Sequence, residues 1–179
     1  MGLLDAIFHP DKNRIEKDAL ANAHASFKVL TGYRPVFTSW GGEIYESELV
    51  RAAIDARARH ISKLKVEFQG AARPSLVAKM KLAPNQWQTW SQFLYRVSTI
   101  LDVHNTAIIV PVRDEDLQTT GYFPVIPNKC EVVDYKGEPW LRYHFSHGQV
   151  AATPLYDCAV LTRHQYKSDF FGDTNSALD

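Results

Sequence analysis

Between Thr89 and Arg113 the apolar period of the sequence changes within a few residues, and this switch limits what the chain can fold into. Trp90, Phe93, Leu94, Val97, Ile100 and Leu101 recur every three or four positions, the spacing of one helix face. Thr89 and Gln92 stand at the separation of a capping box, which places the helix over 89–101. The polar stretch Asp102-Val103-His104-Asn105 ends it, and Asn105 suits the left-handed residue that closes a helix. Thr106–Arg113 is then apolar almost throughout, so it predicts a strand that needs cover on both faces.

A second strong helix is predicted over 46–64. Ser47 stands at its cap, Glu46 and Glu48 suit its positive end, and Val50, Ala53, Ile54, Ile61 and Leu64 form the expected buried stripe. Arg51, Asp55 and Arg59 line the opposite face four residues apart. Leu64, Val66 and Phe68 alternate with Lys65, Glu67 and Gln69, which reads as a half-buried strand ended by Gly70. Further on, Asp114–Gly121 reads as a polar loop and Tyr122–Ile126 as a short strand. Cys130–Tyr135 and Trp140–Phe145 flank the hairpin signal Lys136-Gly137, and Cys158–Arg163 reads as a last strand. The expected class is α+β: two amphipathic helices packed on a mostly antiparallel β-meander, with an N-terminal helical arm. The expected division is an arm over 1–40, the α+β domain over 41–165 and a loop over 166–179. In the arm, Ile15, Ala19, Ala23, Phe27 and Leu30 make a thin, alanine-rich stripe. It suits either a surface helix on the domain or an arm that orders against a neighbour.

Composition narrows the function. The formal net charge is zero, where a dedicated nucleic-acid binder usually carries a basic excess. Residues 1–81 carry +4 and residues 82–179 carry −4, a split that suits head-to-tail contacts weakly. No run of about 18 apolar residues occurs, so no membrane helix is expected. The N-terminus lacks the form of a signal peptide and of a myristoylation site. Cys130 and Cys158 form no metal, redox or disulfide spacing, which suits a reducing cytoplasm.

Phosphate loops, nucleophile elbows and paired Cys-x-x-Cys motifs are absent from the sequence. Weaker constellations remain. His144 and His147 lack the third ligand a metal needs. Asp102 and His104 could act as a base and its orienter, but a solvated helix end is the simpler account. Asp114, Glu115 and Asp116 suit a hard cation or, more simply, a loop tip in water. Trp87, Trp90 and Tyr95 could stack bases, although Trp90 lies on the buried helix stripe. No catalytic, cofactor or metal residue is therefore assigned. A small hydrolase or transferase with a noncontiguous site, and a nucleic-acid-binding module, remain the alternatives.

Three stretches together resemble the portal proteins of tailed bacteriophages, siphophage type. The run from Ser47-Glu48-Leu49-Val50-Arg51 to Lys63-Leu64-Lys65-Val66 is similar to the family's early helix leading into a strand. Ala83-Pro84-Asn85-Gln86-Trp87-Gln88-Thr89-Trp90 is similar to its Pro-Asn, threonine and aromatic-helix segment, with His104-Asn105 where a Gly-Asn pair is usual. Pro154-Leu155-Tyr156-Asp157-Cys158-Ala159-Val160-Leu161-Thr162-Arg163-His164, then Phe171-Gly172-Asp173-Thr174-Asn175-Ser176-Ala177-Leu178, resembles its late strand and the approach to a following helix. Here the histidine falls slightly late, at His164.

The resemblance covers roughly residues 35–179 and implies a non-enzymatic subunit of a dodecameric ring at one capsid vertex, without cofactors. Its implied partners are other copies of itself, the terminase, capsid and head–tail connector proteins, and the double-stranded DNA that passes through the channel, with no membrane. The implied location is the virion, with the host cytoplasm during assembly. The region covered corresponds to the N-terminal wing. Family members continue into stem, clip and channel helix, so the chain is expected to be part of a longer product. Arg51, Asp55 and Arg59, with Ile15 and Phe27 of the arm, are the expected subunit-contact residues.

Overall fold

The helix signalled by Thr89 forms as the sequence predicts and organises the rest. A computed structural model of the chain describes residues 47–114, 116–144 and 150–173. The arm, including Ile15 and Phe27, lies outside the described residues. In chain order the elements are α1 (Glu48–Ile61), α2 (Pro74–Leu82), α3 (Trp90–His104), β1 (Thr106–Arg113), β2 (Thr119–Val125), β3 (Cys130–Tyr135), β4 (Glu138–His144), β5 (Val150–Pro154) and β6 (Ala159–Thr162). Two single 3-10 turns, Pro127–Lys129 and Leu155–Asp157, precede β3 and β6.

At the start of α3 the Thr89 hydroxyl accepts the Gln92 amide N–H at 3.3 Å, and the Gln92 side chain accepts the Thr89 N–H at 2.9 Å. Both otherwise orphaned donors are satisfied, as a capping box requires. The helix runs three residues beyond the expected end. It stops at Asn105, whose φ of 52° is the left-handed cap the sequence signalled.

Among the described residues all strand pairings are antiparallel, but the strands divide into two three-stranded sheets, ordered β2-β1-β6 and β3-β4-β5. β1 lies at the centre of the first sheet, and its alternation explains its unbroken apolar run. Ala107 and Ile109 face α3, against Phe93, Val97 and Ile100. Ile108 and Val110, both 0 % exposed, face the second sheet and pack with Val132 of β3 and Leu141 of β4. The strand is thus covered on both faces, and the described residues form three layers: helices, one sheet, then the other. At the β3–β4 hairpin both Lys136 and Gly137 have positive φ, which fits the twist of a two-residue turn. The Asp134 carboxylate accepts the Gly137 N–H there at 2.8 Å.

Four local expectations fail. Residues 62–69 form no strand, and Leu64 is 63 % exposed. Their alternation is met by packing instead: Phe68 lies 5.7 Å from the Trp90 ring, and no described strand pairs with this segment. On α1 the stripe is thinner than expected, since Ala58 is its one buried residue and Ala53 is exposed. Ser47 occupies the cap position but makes no side-chain capping bond. α2 and β5 were not expected: Leu76, Val77, Met80 and Leu82 of α2 make no one-sided stripe, and β5 has one large apolar residue, Val150. α2 is started by Pro74, pre-set for a first helical turn, and β5 is an edge strand that tolerates Pro154.

The packed unit continues to Asp173. Phe171 is buried in the inter-sheet core, and the Gly172 N–H donates to the Thr106 hydroxyl at 2.8 Å. The Asn105 amide donates to the Asp173 carbonyl at 2.8 Å. A side chain at Gly172 would be driven into the carbonyl oxygens of Asn105 and Arg163, so the close approach of three backbone segments requires glycine.

Candidate functional site

The flank of α3 beside β2 carries a different pattern from the buried stripe. Gln92, Tyr95, Arg96 and Thr99 follow one another at helical spacing. With Trp87 and Gln88 ahead of the helix and Phe123 on β2, they line an open groove of about 600 Å³. Its wall is aromatic. Trp87 meets Phe123 edge to face with ring centroids 6.0 Å apart, and the Arg96 guanidinium lies 4.8 Å from the Phe123 centroid. Burial lowers the Arg96 pKa, and the nearby Tyr143 opposes that shift. Arg96 makes no ion pair among the described residues, and no acidic residue lines the groove. Most of the other polar groups are already engaged. Gln92 serves the cap, Gln88 accepts from the Asn85 amide at 3.0 Å, and the Thr99 hydroxyl donates to the Tyr95 carbonyl at 2.9 Å.

Two members of the expected Arg51–Asp55–Arg59 face are engaged within the fold. Arg59 pairs with Asp55 at 2.8 Å, while Asp55 also accepts the Tyr95 hydroxyl at 2.8 Å and so fastens α1 to the groove side of α3. The Tyr95 hydrogen bond, with Arg59, holds the Asp55 carboxyl below the usual range against the opposing effect of burial. Arg51 stands exposed on α1.

Asp102 does not stand as a base for His104. Its carboxylate accepts from Arg57 at 3.0 Å and from Arg163, tying α1, α3 and the end of β6 together. Its side chain is 7 % exposed, and Oδ2 has no hydrogen-bond partner. Burial raises its pKa and Arg57 counters part of that rise. Burial lowers the His104 pKa, which favours a neutral imidazole.

The remaining sequence candidates resolve individually. His144 lies 3.5 Å from Glu131, which is held by Arg142, and His147 lies outside the described residues. Asp114 turns its carboxylate onto the N–H groups of Asp116 and Gln118, at 3.2 and 2.8 Å, in a self-closed loop. Glu115 is outside the described residues. Trp90 is a core residue: its ring packs 5.4 Å from Phe93 and its indole N–H donates to the Met80 carbonyl at 2.6 Å. Cys130 and Cys158 are free thiols in the inter-sheet core. Burial raises the Cys130 pKa and, with Asp157, pushes that of Cys158 up to about 12, so neither is a ready nucleophile. Among the described residues, no three His, Cys, Asp or Glu side chains cluster as a metal site, and no helix is long and apolar enough to cross a membrane.

The groove residues Arg96 and Phe123 were not singled out in the sequence. The available signal was the polar and aromatic series Gln88, Gln92, Tyr95, Arg96 and Thr99, running opposite the buried stripe at the same period.

No protein-family model and no curated protein matches the chain. Its fold does match solved structures. A chain in the neck of an empty gene transfer agent particle, determined with C6 symmetry, superposes with a TM-score of 0.60 at 13% identity over 87% of this chain. A chain in the neck of the native particle, determined with C12 symmetry, gives 0.63 at 11% identity over 89%. A chain of the native virion gives 0.59 at 11% identity over 87%. This chain spans 43%, 44% and 42% of those chains, respectively. At this identity the likeness establishes a common α+β fold.

Proposed function

We propose that the chain is the wing portion of a portal-type subunit, a structural component of the neck of a tailed-phage-like particle. The observation that carries this reading is the common fold, over nearly nine-tenths of the chain, with chains of particle necks, one of them determined with C12 symmetry. The sequence resemblance to phage portal proteins, carried by the order of three short motifs, points the same way. The chain spans less than half of each neck chain, which fits a wing with stem and channel elements outside it.

On this reading the subunit works by assembly rather than by bond chemistry. Twelve copies surround the path of double-stranded DNA, the terminase drives packaging through them, and connector proteins bind the ring afterwards. A net charge of zero suits a conduit through which DNA slides, since strong phosphate neutralisation would hold it. The particle itself is the test. Quantitative mass spectrometry of purified particles should find about twelve copies per particle, as in a C12 ring. Antibody against this chain should label a single vertex. Copy numbers in the hundreds, labelling over the whole shell, or absence from particles would overturn the reading.

A further inference from the structure

The groove between the flank of α3 and β2 is open, and no acidic residue lines it. Trp87, Tyr95 and Phe123 give it aromatic walls, and Arg96 lies over Phe123 without a carboxylate to meet it. An occupant that fits must bring apolar side chains to the rings and a carboxylate to Arg96. Inside such a groove that ion pair would be better shielded from water than one on the open surface.

We propose that this groove is a socket for the N-terminal arm of the adjacent copy, with the Ile15–Leu30 stripe seated against the rings and Glu16 or Asp18 on Arg96. The inference rests on the ring assembly proposed above. Three observations select this occupant. First, 46 residues precede Ser47, and the stripe within them is thin and rich in alanine, suited to a shallow groove. A stripe this poor in large side chains gives an isolated helix little stability, so it gains most from a preformed partner surface. Second, Glu16 and Asp18 follow Ile15 by one and three positions, among Lys12, Arg14 and Lys17, and either can supply the carboxylate that the groove lacks. Third, the chain reaches far enough: the 16 residues from Thr31 to Glu46 can extend about 50 Å, ample to cross to a neighbour. An arm of one copy in the groove of the next is a heterologous contact, the kind that closes a ring without two-fold pairing.

The test uses the full 179-residue chain and complementation. Trp87→Ala spoils the socket and leaves the arm intact; Phe27→Ala spoils the arm and leaves the socket intact. Sedimentation velocity should show concentration-dependent association of the unaltered chain, weakened about ten-fold or more in either variant, as for a central aromatic anchor. Mixing the two variants should restore a one-to-one pair, because one intact arm then meets one intact socket. Arg96→Glu should weaken association similarly, and Asp18→Arg or Glu16→Arg in the same chain should recover it. This second route does not remove an aromatic side chain, so it decides the matter if Trp87→Ala fails to fold. No recovery on mixing, with no charge-swap rescue, overturns the socket. So does an arm whose hydrogen-exchange protection is independent of protein concentration, since the arm would then be folding back on its own domain. About twelve copies per particle without complementation would leave the ring reading standing and remove the socket. Complementation by a chain absent from particles would do the reverse.

Discussion

α1 and α3 resemble each other in sequence, each an amphipathic stretch of about four turns, yet they are held in different ways. α3 buries Phe93, Val97 and Ile100 against β1 and closes with a full capping box at one end and a left-handed cap at the other. α1 buries Ala58 alone and leaves Leu49 82 % exposed. Two polar clasps attach it to α3: the Tyr95 hydroxyl on Asp55, and Arg57 on Asp102. Periodicity therefore shows that a helix has two faces, not how much the neighbouring layer will cover. α3 faces a sheet, which offers a continuous apolar surface. Among the described residues, α1 packs mainly on the side of another helix. Stability should thus concentrate in α3 and the sheets, with α1 at the weaker end of the local-opening scale.

The largest expected effect follows directly. Phe93 is 4 % exposed at the centre of the α3–sheet cluster, so Phe93→Ala should cost about 3–5 kcal/mol in chemical denaturation. The matching change on α1, Ile54→Ala at a half-buried site, should cost less than half as much. Equal losses would break the contrast between the two helices.

Next in size is Gly172→Ala. The Cβ has no room between the backbones at Asn105 and Arg163, and the Arg163 N–H already fixes the Asn105 carbonyl. A loss of about 1–3 kcal/mol is expected, the range for overpacking a tight site. Thermal denaturation checks it, and a neutral result would mean that the segment through Phe171 is not docked on the end of α3.

The sequence made the covered half of the molecule legible and left the lightly covered half obscure. Thr89, Gln92 and Asn105 carry local chemistry that acts within a single turn, so both ends of α3 could be read from them, the second to within three residues. The apolar run of β1 similarly told of two covering layers, because an uncovered Ile108 or Ile109 would be costly. What was missed depends on partners distant in sequence. Leu64, Val66 and Phe68 alternate like a strand, but only the fold shows that they pair with none of the described strands and that Phe68 packs on Trp90 instead. β5 contains one large apolar residue, Val150, and becomes a strand because β4 offers it an edge. The groove was half legible: Trp87 and Tyr95 drew attention as aromatics, whereas Arg96 acquires meaning only when Phe123 is brought beneath it.

Breaking the Arg57–Asp102–Arg163 clasp should have a smaller effect. The Asp102 side chain is 7 % exposed but its partners reach water, Arg57 at 50% and Arg163 at 28% exposure. Screening on the arginine side keeps the expected loss for Asp102→Ala to about 1–2 kcal/mol, below that of a fully buried pair. Asp102→Asn should cost less, because burial already disfavours the charge. With its folded pKa raised, Asp102 contributes stability below its unfolded value, and that contribution is lost as pH rises through the folded one. The Asn variant should therefore flatten the pH dependence of stability just above the ordinary carboxylate range. Amide exchange in α1 should quicken in the Ala variant while that of α3 hardly changes. Equal quickening in both helices would make α1 an integral part of the core.

The smallest expected effect, Tyr95→Phe, separates the two clasps of α1. Asp55 has its pKa lowered, first by the Tyr95 hydrogen bond and then by Arg59, so it behaves oppositely to Asp102. A lowered carboxyl contributes stability that is present above its unfolded value, about 3.9, and is lost as pH falls through the folded value. Acidification thus loosens the Asp55 clasp in a range where Asp102 favours the folded state. Removing the Tyr95 hydroxyl takes away the main cause of the Asp55 shift and leaves the aromatic ring in the groove wall. Carboxyl carbon shifts of Asp55, followed by NMR during an acid titration, should show a midpoint below the ordinary range in the unaltered chain and a higher one in Tyr95→Phe. The Asp102 midpoint should hardly move, since its causes are burial and Arg57. If the Asp55 midpoint stays fixed, the Tyr95 hydroxyl does not hold α1, and the attachment of that helix falls to Arg57 and Ala58. If both midpoints move together, the clasps are one network, and the contrast between α1 and α3 must be drawn at the level of whole helices rather than of separate polar contacts.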